Sequence, residues 1–145
     1  MNNGEFDGKV VLVTGAASGL GRAASVRFAQ EGAQVCLVDI NAAGLAETAR
    51  TITDAGGLCA NYCGDLGLPS NCEDAVNVAI EAFGRLDVLC NVAGILRFHA
   101  LADVSAEDWN KLFAANVTAP FFMMQAAMPH LVESKGNVVN VASTA

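Results

Sequence analysis

The chain has 145 residues, of which 53% are hydrophobic and 16% charged, and its formal net charge is −7. This length suits one domain with a buried core, and the acidic balance argues against nucleic acid, which needs a basic surface. No apolar run approaches the roughly 20 residues of a membrane-spanning helix. The polar N-terminus, residues 1–8, does not resemble a secretory signal, so we expect a cytoplasmic protein that binds no membrane.

Strand-like and helix-like patterns alternate along the chain. The predicted elements are strands over 9–14, 34–39, 58–64, 87–90 and 137–142, and helices over about 20–31, about 42–55, from 69 onward and over 105–132. Each of the first four strands is followed by a helix. Such alternation predicts an α/β fold with a parallel sheet and helices on both of its faces.

The five cysteines carry no Cys-x-x-Cys pair. They are Cys36, Cys59, Cys63, Cys72 and Cys90. We expect buried, reduced thiols and no metal; a metal or redox site is the alternative.

A glycine-rich loop, Thr-Gly-Ala-Ala-Ser-Gly-Leu-Gly over 14–21, joins the first predicted strand to the first helix. Gly15, Gly19 and Gly21 lack a Cβ, which permits a sharp turn, close approach of a pyrophosphate and close packing of helix on strand. The helix N-terminus adds partial positive charge. No Gly-Lys-Ser/Thr follows, which excludes a P-loop. Because the glycines lie between a strand and a helix, the loop predicts a dinucleotide site.

Asp39 ends the second predicted strand, about 20 residues after the last glycine of the loop. An acid at this place accepts hydrogen bonds from the adenosine ribose hydroxyls and repels a 2′-phosphate. It therefore favours NAD over NADP, although an aspartate that merely starts a turn is the alternative. Arg22 is the nearby cation, and we expect it to point outward.

Three motifs in order, with their spacing, make the chain resemble the short-chain dehydrogenases/reductases. They are Thr-Gly-x-x-x-Gly-x-Gly at 14–21, Asn-x-Ala-Gly at 91–94 and Asn-x-x-Ser at 140–143. The Gly-x-x-Gly-x-x-Gly of the related sugar-nucleotide epimerases is absent. The resemblance implies a Rossmann-type, doubly wound parallel sheet with strand order 3-2-1-4-5. It also implies a single NAD-binding domain over 1–145 that lacks the family's later strands at its C-terminus.

The same resemblance assigns the cofactor residues. They are Gly15, Ala17, Ser18, Gly19, Leu20, Gly21, Asp39, Ile40, Asp65, Leu66, Asn91, Ala93 and Gly94. Asp65 and Leu66 correspond to the pair that contacts the adenine. Val92 replaces the family's usual asparagine, which should cost a secondary hydrogen bond and leave the fold intact. From the residues alone, Asp65 and Asn91 are equally compatible with polar side chains that cap loops.

Asn116 falls on an apolar helical face. We expect this face to be buried, and its residues are Trp109, Leu112, Phe113, Val117, Phe121 and Met124. Pro120 has no N–H, so the carbonyl of Asn116 loses its usual partner and is free to hold a water, with a bend in the helix. The resemblance implies an asparagine of a proton relay here; a satisfied core asparagine beside an incidental proline is the alternative.

Ser143 resembles the family serine that hydrogen-bonds the substrate carbonyl or hydroxyl. The family's proton donor is a tyrosine in Tyr-x-x-x-Lys, but the only tyrosine, Tyr62, is followed four residues later by Leu66. We therefore expect Tyr62 to be a packing residue. The chain is expected to be the N-terminal part of an NAD-dependent oxidoreductase for a small alcohol or carbonyl substrate, inactive alone. A non-catalytic nucleotide-binding or assembly module is the alternative.

Four large apolar residues stand consecutively at positions 121–124. A helix spreads consecutive side chains around its circumference, so they cannot all face one core. In the family this helix lies in a dimer interface, so we expect a homodimer or homotetramer.

Overall fold

The computed structural model describes residues 4–143 and confirms the alternation of strands and helices. The strands are β1 (Val10–Thr14), β2 (Gln34–Asp39), β3 (Leu58–Cys63), β4 (Val88–Asn91) and β5 (Asn137–Asn140). The helices are α1 (Gly19–Gln30), α2 (Ala42–Asp54), α3 (Pro69–Phe83), α4 (Ala106–Phe113) and α5 (Ala119–Ser134). A 3₁₀ turn (Leu101–Asp103) precedes α4, and a π turn (Ala114–Thr118) joins α4 to α5.

The five strands form one parallel sheet in the order β3-β2-β1-β4-β5, which confirms the predicted order. In the middle of the sheet, Leu12 of β1 lies opposite Cys36 of β2 and Leu89 of β4. All five residues of β1 are buried, because helices cover both faces of the sheet.

The two faces of the sheet bury two separate apolar clusters. Successive residues of a strand point to opposite faces, so Val10 and Leu12 pack toward α3 and α5. Val11 and Val13 pack toward α1 and α2 on the other face. The sheet is therefore doubly wound, as predicted.

The buried face of α5 differs from the predicted one. Its core residues are Ala119, Met123, Ala127 and Leu131, which recur every fourth position. Trp109 and Phe121, expected in the core, are 56% and 55% exposed. Because α5 is apolar around nearly its whole circumference, the spacing of its apolar residues does not indicate which face is buried. The face that carries small alanines is the buried one, since small side chains let the helix approach the sheet more closely.

The single helix predicted over 105–132 is interrupted by the π turn just before Pro120. There the N–H of Ala119 donates to the carbonyl of Ala114, five residues earlier. A wider turn is the natural response to a proline that cannot donate a hydrogen bond. The start of α4 is as expected, since the Ser105 hydroxyl accepts the N–H of Asp108 at 3.0 Å.

Three cysteines are buried as expected, and burial raises their thiol pKa to about 12 for Cys36 and about 11 for Cys72 and Cys90. Cys63 is exposed, contrary to expectation, because it ends the edge strand β3. Between residues 4 and 143, no helix is long and apolar enough to cross a membrane.

Candidate cofactor site

A cleft of about 620 Å³ opens at the carboxyl ends of the strands. Its walls come from the loop after β1 and from the segment after β4, two strands that lie side by side. The chain leaves β1 toward one face of the sheet and leaves β4 toward the other, so a crevice forms between them. Its size suits a small ligand or cofactor.

Most of the predicted cofactor residues line this cleft. They are Gly15, Ser18, Gly19, Leu20, Gly21, Asp39, Ile40, Asp65, Leu66, Ala93 and Gly94. Ala17 and Asn91 do not, because both are buried in the protein, at 2% and 5% exposure. The pattern missed other lining residues, among them Gly64, Gly67, Lys111 and Ala115.

The glycine loop is shaped by close backbone contacts. Gly15 has a φ of +71°, and a Cβ there would lie 3.0 Å from the backbone nitrogen of Ala93. A Cβ at Gly21 would overlap the carbonyl oxygen of Gly15. Gly19, in contrast, faces open space within the cleft wall. The loop therefore offers bare backbone and the N-terminus of α1 to an anionic ligand, as a pyrophosphate requires.

Asp39 holds the loop from the side of β2. Its Oδ2 accepts the N–H of Ala17 at 3.0 Å, and its Oδ1 accepts the N–H of Asn41 at 2.9 Å. A carboxylate has about four acceptor positions, so two remain for ribose hydroxyls. Asp39 thus starts a turn and also lines the cleft, which unites the two interpretations of its sequence position.

Arg22 does not point outward, and that prediction is wrong. Its Nη2 folds back to donate to the carbonyl of Ala17 at 2.6 Å and to Glu47 of α2 at 2.8 Å. The carbonyl lies five residues back in the chain, whereas the carboxylate is brought near by the packing of α2 against α1. Sequence spacing contains no signal for the second partner.

Thr14 positions one wall of the cleft, a role that its sequence context does not predict. Its hydroxyl, at the buried end of β1, accepts the backbone N–H groups of Val92 and Ala93, each at 3.0 Å. It thereby fixes the segment after β4 against the glycine loop. Thr14 is the first residue of the loop motif, which was the only signal available.

The third side of the cleft is the turn after β3. Asp65 Oδ1 accepts the N–H of Gly67 at 2.9 Å, so Asp65 caps its loop while lining the cleft. Leu66 is 8% exposed and closes the floor. Ala114 approaches from the π turn, since a Cβ at Gly67 would lie 3.3 Å from that of Ala114.

Asn116 is exposed, not buried as expected, because the helical face that carries it is turned away from the core. Its amide pairs with the backbone of Ile95: Oδ1 accepts the N–H and Nδ2 donates to the carbonyl, both at 2.9 Å. Ile95 lines the cleft. Asn116 therefore holds the loop that forms one wall.

Asn91 lies beside Asn140 at the ends of β4 and β5, and its Nδ2 donates to Asn140 Oδ1 at 2.8 Å. Asn91 Oδ1 is buried and has no hydrogen-bond partner among residues 4–143. Ser143 is exposed just beyond β5, and neither Ser143 nor Asn116 is among the residues that line the cleft. Tyr62 packs against the core as predicted. Burial and the nearby Asp74 raise the pKa of Tyr62, the wrong direction for a proton donor near neutral pH.

The sequence matches the model of the short chain dehydrogenase family over residues 9–145. The chain belongs to the short-chain dehydrogenase/reductase family. It is 42% identical to an uncharacterized oxidoreductase of Thermotoga maritima, over 97% of this chain and 55% of that protein. It is 36% identical to the D-threitol dehydrogenase of Mycolicibacterium smegmatis, over 97% of this chain and 54% of that protein.

Solved structures of the short-chain dehydrogenase/reductase family share the fold. A short chain dehydrogenase from Mycobacterium paratuberculosis bound to NAD superposes with a TM-score of 0.92 at 30% identity, covering 97% of this chain and 57% of that one. A short-chain alcohol dehydrogenase from Sinorhizobium meliloti, described as putative, gives 0.90 at 32% identity, over 94% and 55%. The chain spans about half the length of the curated relatives it matches.

Proposed function

We propose that the chain is the cofactor-binding part of an NAD-dependent oxidoreductase. The observation that carries this proposal is the cleft at the strand ends, with the glycine loop on one side and Asp39 beside it. Support comes from the Mycobacterium paratuberculosis relative, whose structure is described as bound to NAD. When bound, oxidised NAD would accept a hydride from a secondary alcohol carbon, and the reduced form, NADH, would supply one to a carbonyl carbon.

Residues of the cleft can be assigned to the successive parts of a bound dinucleotide. The bare backbone at Gly19 and the N-terminus of α1 would hold the pyrophosphate. The two unused acceptor positions of Asp39 would take the ribose hydroxyls. Asp65 and Leu66 would flank the adenine on the far side of the cleft.

Preference for NAD over NADP follows from Asp39, because its carboxylate would repel a 2′-phosphate. Titration calorimetry with each dinucleotide tests this. We expect NAD to bind more tightly, and Asp39→Asn to reduce the difference by about tenfold, since asparagine keeps an acceptor for Ala17 but removes the charge. Asp54→Asn, at the exposed end of α2, is the control for net charge. Equal binding of the two dinucleotides by the wild-type chain would contradict the assignment.

Ser143 and Asn116 are proposed as the catalytic residues of this chain, with the family's Tyr-x-x-x-Lys supplied by sequence after Ala145. The competing proposal is a nucleotide-binding or assembly module without catalysis. Reading the source gene past the codon for Ala145 separates them. An in-frame Tyr-x-x-x-Lys supports the enzyme, and a stop codon supports the module.

We also propose that the protein is a homodimer or homotetramer in the cytoplasm. An apolar groove on α5 includes Phe121, Met128 and Val132, which are 55%, 47% and 68% exposed. Single apolar side chains are common on surfaces, but a continuous strip of them indicates a covered interface. Light scattering at micromolar concentration tests this, and a monomer there would contradict it.

A further inference from the structure

One residue of the glycine loop, Ala17, is held by opposite charges at its two backbone polar groups. The N–H of Ala17 donates to the Asp39 carboxylate at 3.0 Å, and the Ala17 carbonyl accepts from the Arg22 guanidinium at 2.6 Å. These bonds place the guanidinium within about 9 Å of the carboxylate, the longest span that one residue permits. This distance is comparable to the Debye length at physiological salt, about 8 Å. Arg22 does not itself line the cleft, but its charge lies near enough to Asp39 to act on a charged group bound beside that carboxylate.

Arg22 is already engaged by α2. Its Nη2 lies 2.8 Å from Glu47 Oε2 and 3.5 Å from the carbonyl of Gly44. The pair is open to solvent, with side-chain exposures of 31% for Arg22 and 56% for Glu47. Exposed ion pairs contribute little to folding stability. The consequence of the Arg22–Glu47 pair is instead to determine which anion the guanidinium binds.

We propose that Glu47 is a specificity-determining residue: by pairing with Arg22, it withholds this guanidinium from a phosphate on the adenosine ribose. The inference rests on the proposed dinucleotide function. Arginine binds phosphate through two parallel hydrogen bonds, so a free guanidinium here would favour NADP. Asp39 repels the 2′-phosphate, and Glu47 pairs with the Arg22 guanidinium that would otherwise attract it. The two acids therefore act in the same direction.

The cation that lines the cleft is paired in the same way. Lys111 of α4 lies 2.5 Å from Glu107, one turn earlier in the helix. Its neighbours in the cleft wall are Ala114 and Ala115, and Ala114 faces Gly67 rather than the loop beside Asp39. Lys111 therefore lies on the side of the cleft that Gly67 forms, whereas Arg22 bonds to Ala17, the residue that Asp39 holds.

The first test measures NAD and NADP affinity of Glu47→Gln by calorimetry. We expect NADP to bind roughly three- to tenfold more tightly, because the guanidinium of Arg22 is freed near a dianionic phosphate. NAD affinity should change by less than about twofold, since NAD has no charge at that position. The matched control is Glu133→Gln, which removes the same charge at the end of α5, on the opposite face of the sheet.

A double-mutant cycle decides whether Arg22 carries the effect. In an Arg22→Met background, Glu47→Gln should give no gain in NADP affinity, because there is no guanidinium to release. A gain that persists there would show simple repulsion by Glu47 and overturn the proposal. Unfolding midpoints of all variants verify that the fold is intact.

Failure of this inference is distinguishable from failure of the proposed function. If the wild-type chain binds NAD but Glu47→Gln behaves like Glu133→Gln, Glu47 has no role in specificity and the cofactor assignment stands. If the wild-type chain binds neither dinucleotide, the cofactor assignment is wrong and the inference is wrong with it.

Discussion

Asp87 is a buried carboxylate that joins the amino ends of β1 and β4, and its removal should destabilise the sheet. Its side chain is 4% exposed. It accepts the N–H of Val10 at 3.0 Å, Lys9 Nζ at 3.3 Å and Arg85 Nε at 2.8 Å. In Asp87→Ala, the N–H of Val10 loses its acceptor, and Val10 is fully buried, so water cannot replace it.

The expected loss follows from these exposures. A buried donor without a partner costs about 1–3 kcal/mol. Lys9 and Arg85 are 47% and 46% exposed and return to water, so their ion pairs add little to this loss. Asp87→Ala should therefore lower the free energy of unfolding by about 1–3 kcal/mol. Asp87→Asn keeps an acceptor for Val10 and should lose about 1–2 kcal/mol.

The same contacts make stability depend on pH. Burial alone would raise the pKa of Asp87, but the hydrogen bonds from Arg85, Val10 and Lys9 outweigh it and hold the pKa below its ordinary value. A carboxyl whose pKa is lowered by folding stabilises the protein fully above its unfolded pKa, near 4. That contribution is lost as the pH falls through the lower, folded value. Asp87→Asn should therefore show a shallower loss of stability in acid than the wild-type chain.

Urea unfolding followed by circular dichroism, near pH 7 and again near pH 3, measures both effects. The control is Asp54→Ala, which removes an aspartate from the exposed end of α2. The reasoning is refuted if Asp87→Ala costs no more than Asp54→Ala. It is also refuted if Asp87→Asn retains the acid sensitivity of the wild-type chain.

Two further predictions concern the loop and the core. Gly21→Ala should weaken NAD binding by more than about tenfold in calorimetry, because its Cβ would overlap the Gly15 carbonyl and displace the loop. Gly19 has a φ of +51° but faces open space, so Gly19→Ala should lower stability by about 1 kcal/mol and weaken NAD binding less than Gly21→Ala does. Met123→Ala should lower the free energy of unfolding by about 2–5 kcal/mol, because Met123 is fully buried, whereas Met128→Ala, 47% exposed, should cost less than about 1 kcal/mol in the same urea assay.

Local chemistry in the chain was sufficient for the framework of the fold. The continuous apolar run of β1, the glycines that follow it and the acid at the end of β2 are each readable in a few neighbouring residues. Their structural meaning depends on short-range geometry, such as the turn at Gly15 and the start of α1. The strand order came with the family resemblance, and the structure confirms it.

The errors fall where contacts join residues that are distant in the chain. Arg22 was expected to face solvent, but the docking of α2 brings Glu47 to it. Thr14 bonds two N–H groups that follow β4, a contact that no local pattern encodes. Asn116 was placed in the core because it shares a helical face with large apolar residues, and that face is exposed.

The sequence by itself determined the order of elements, the position of the candidate cofactor cleft at the strand ends and the acid beside it. These depend on residue type and on periods of two or about four residues, which are local properties. Only the tertiary structure decided which face of α5 is buried and which partners Arg22, Asn116 and Thr14 take. Those choices depend on how closely whole elements can approach each other, and small residues such as Ala119 and Ala127 set that approach.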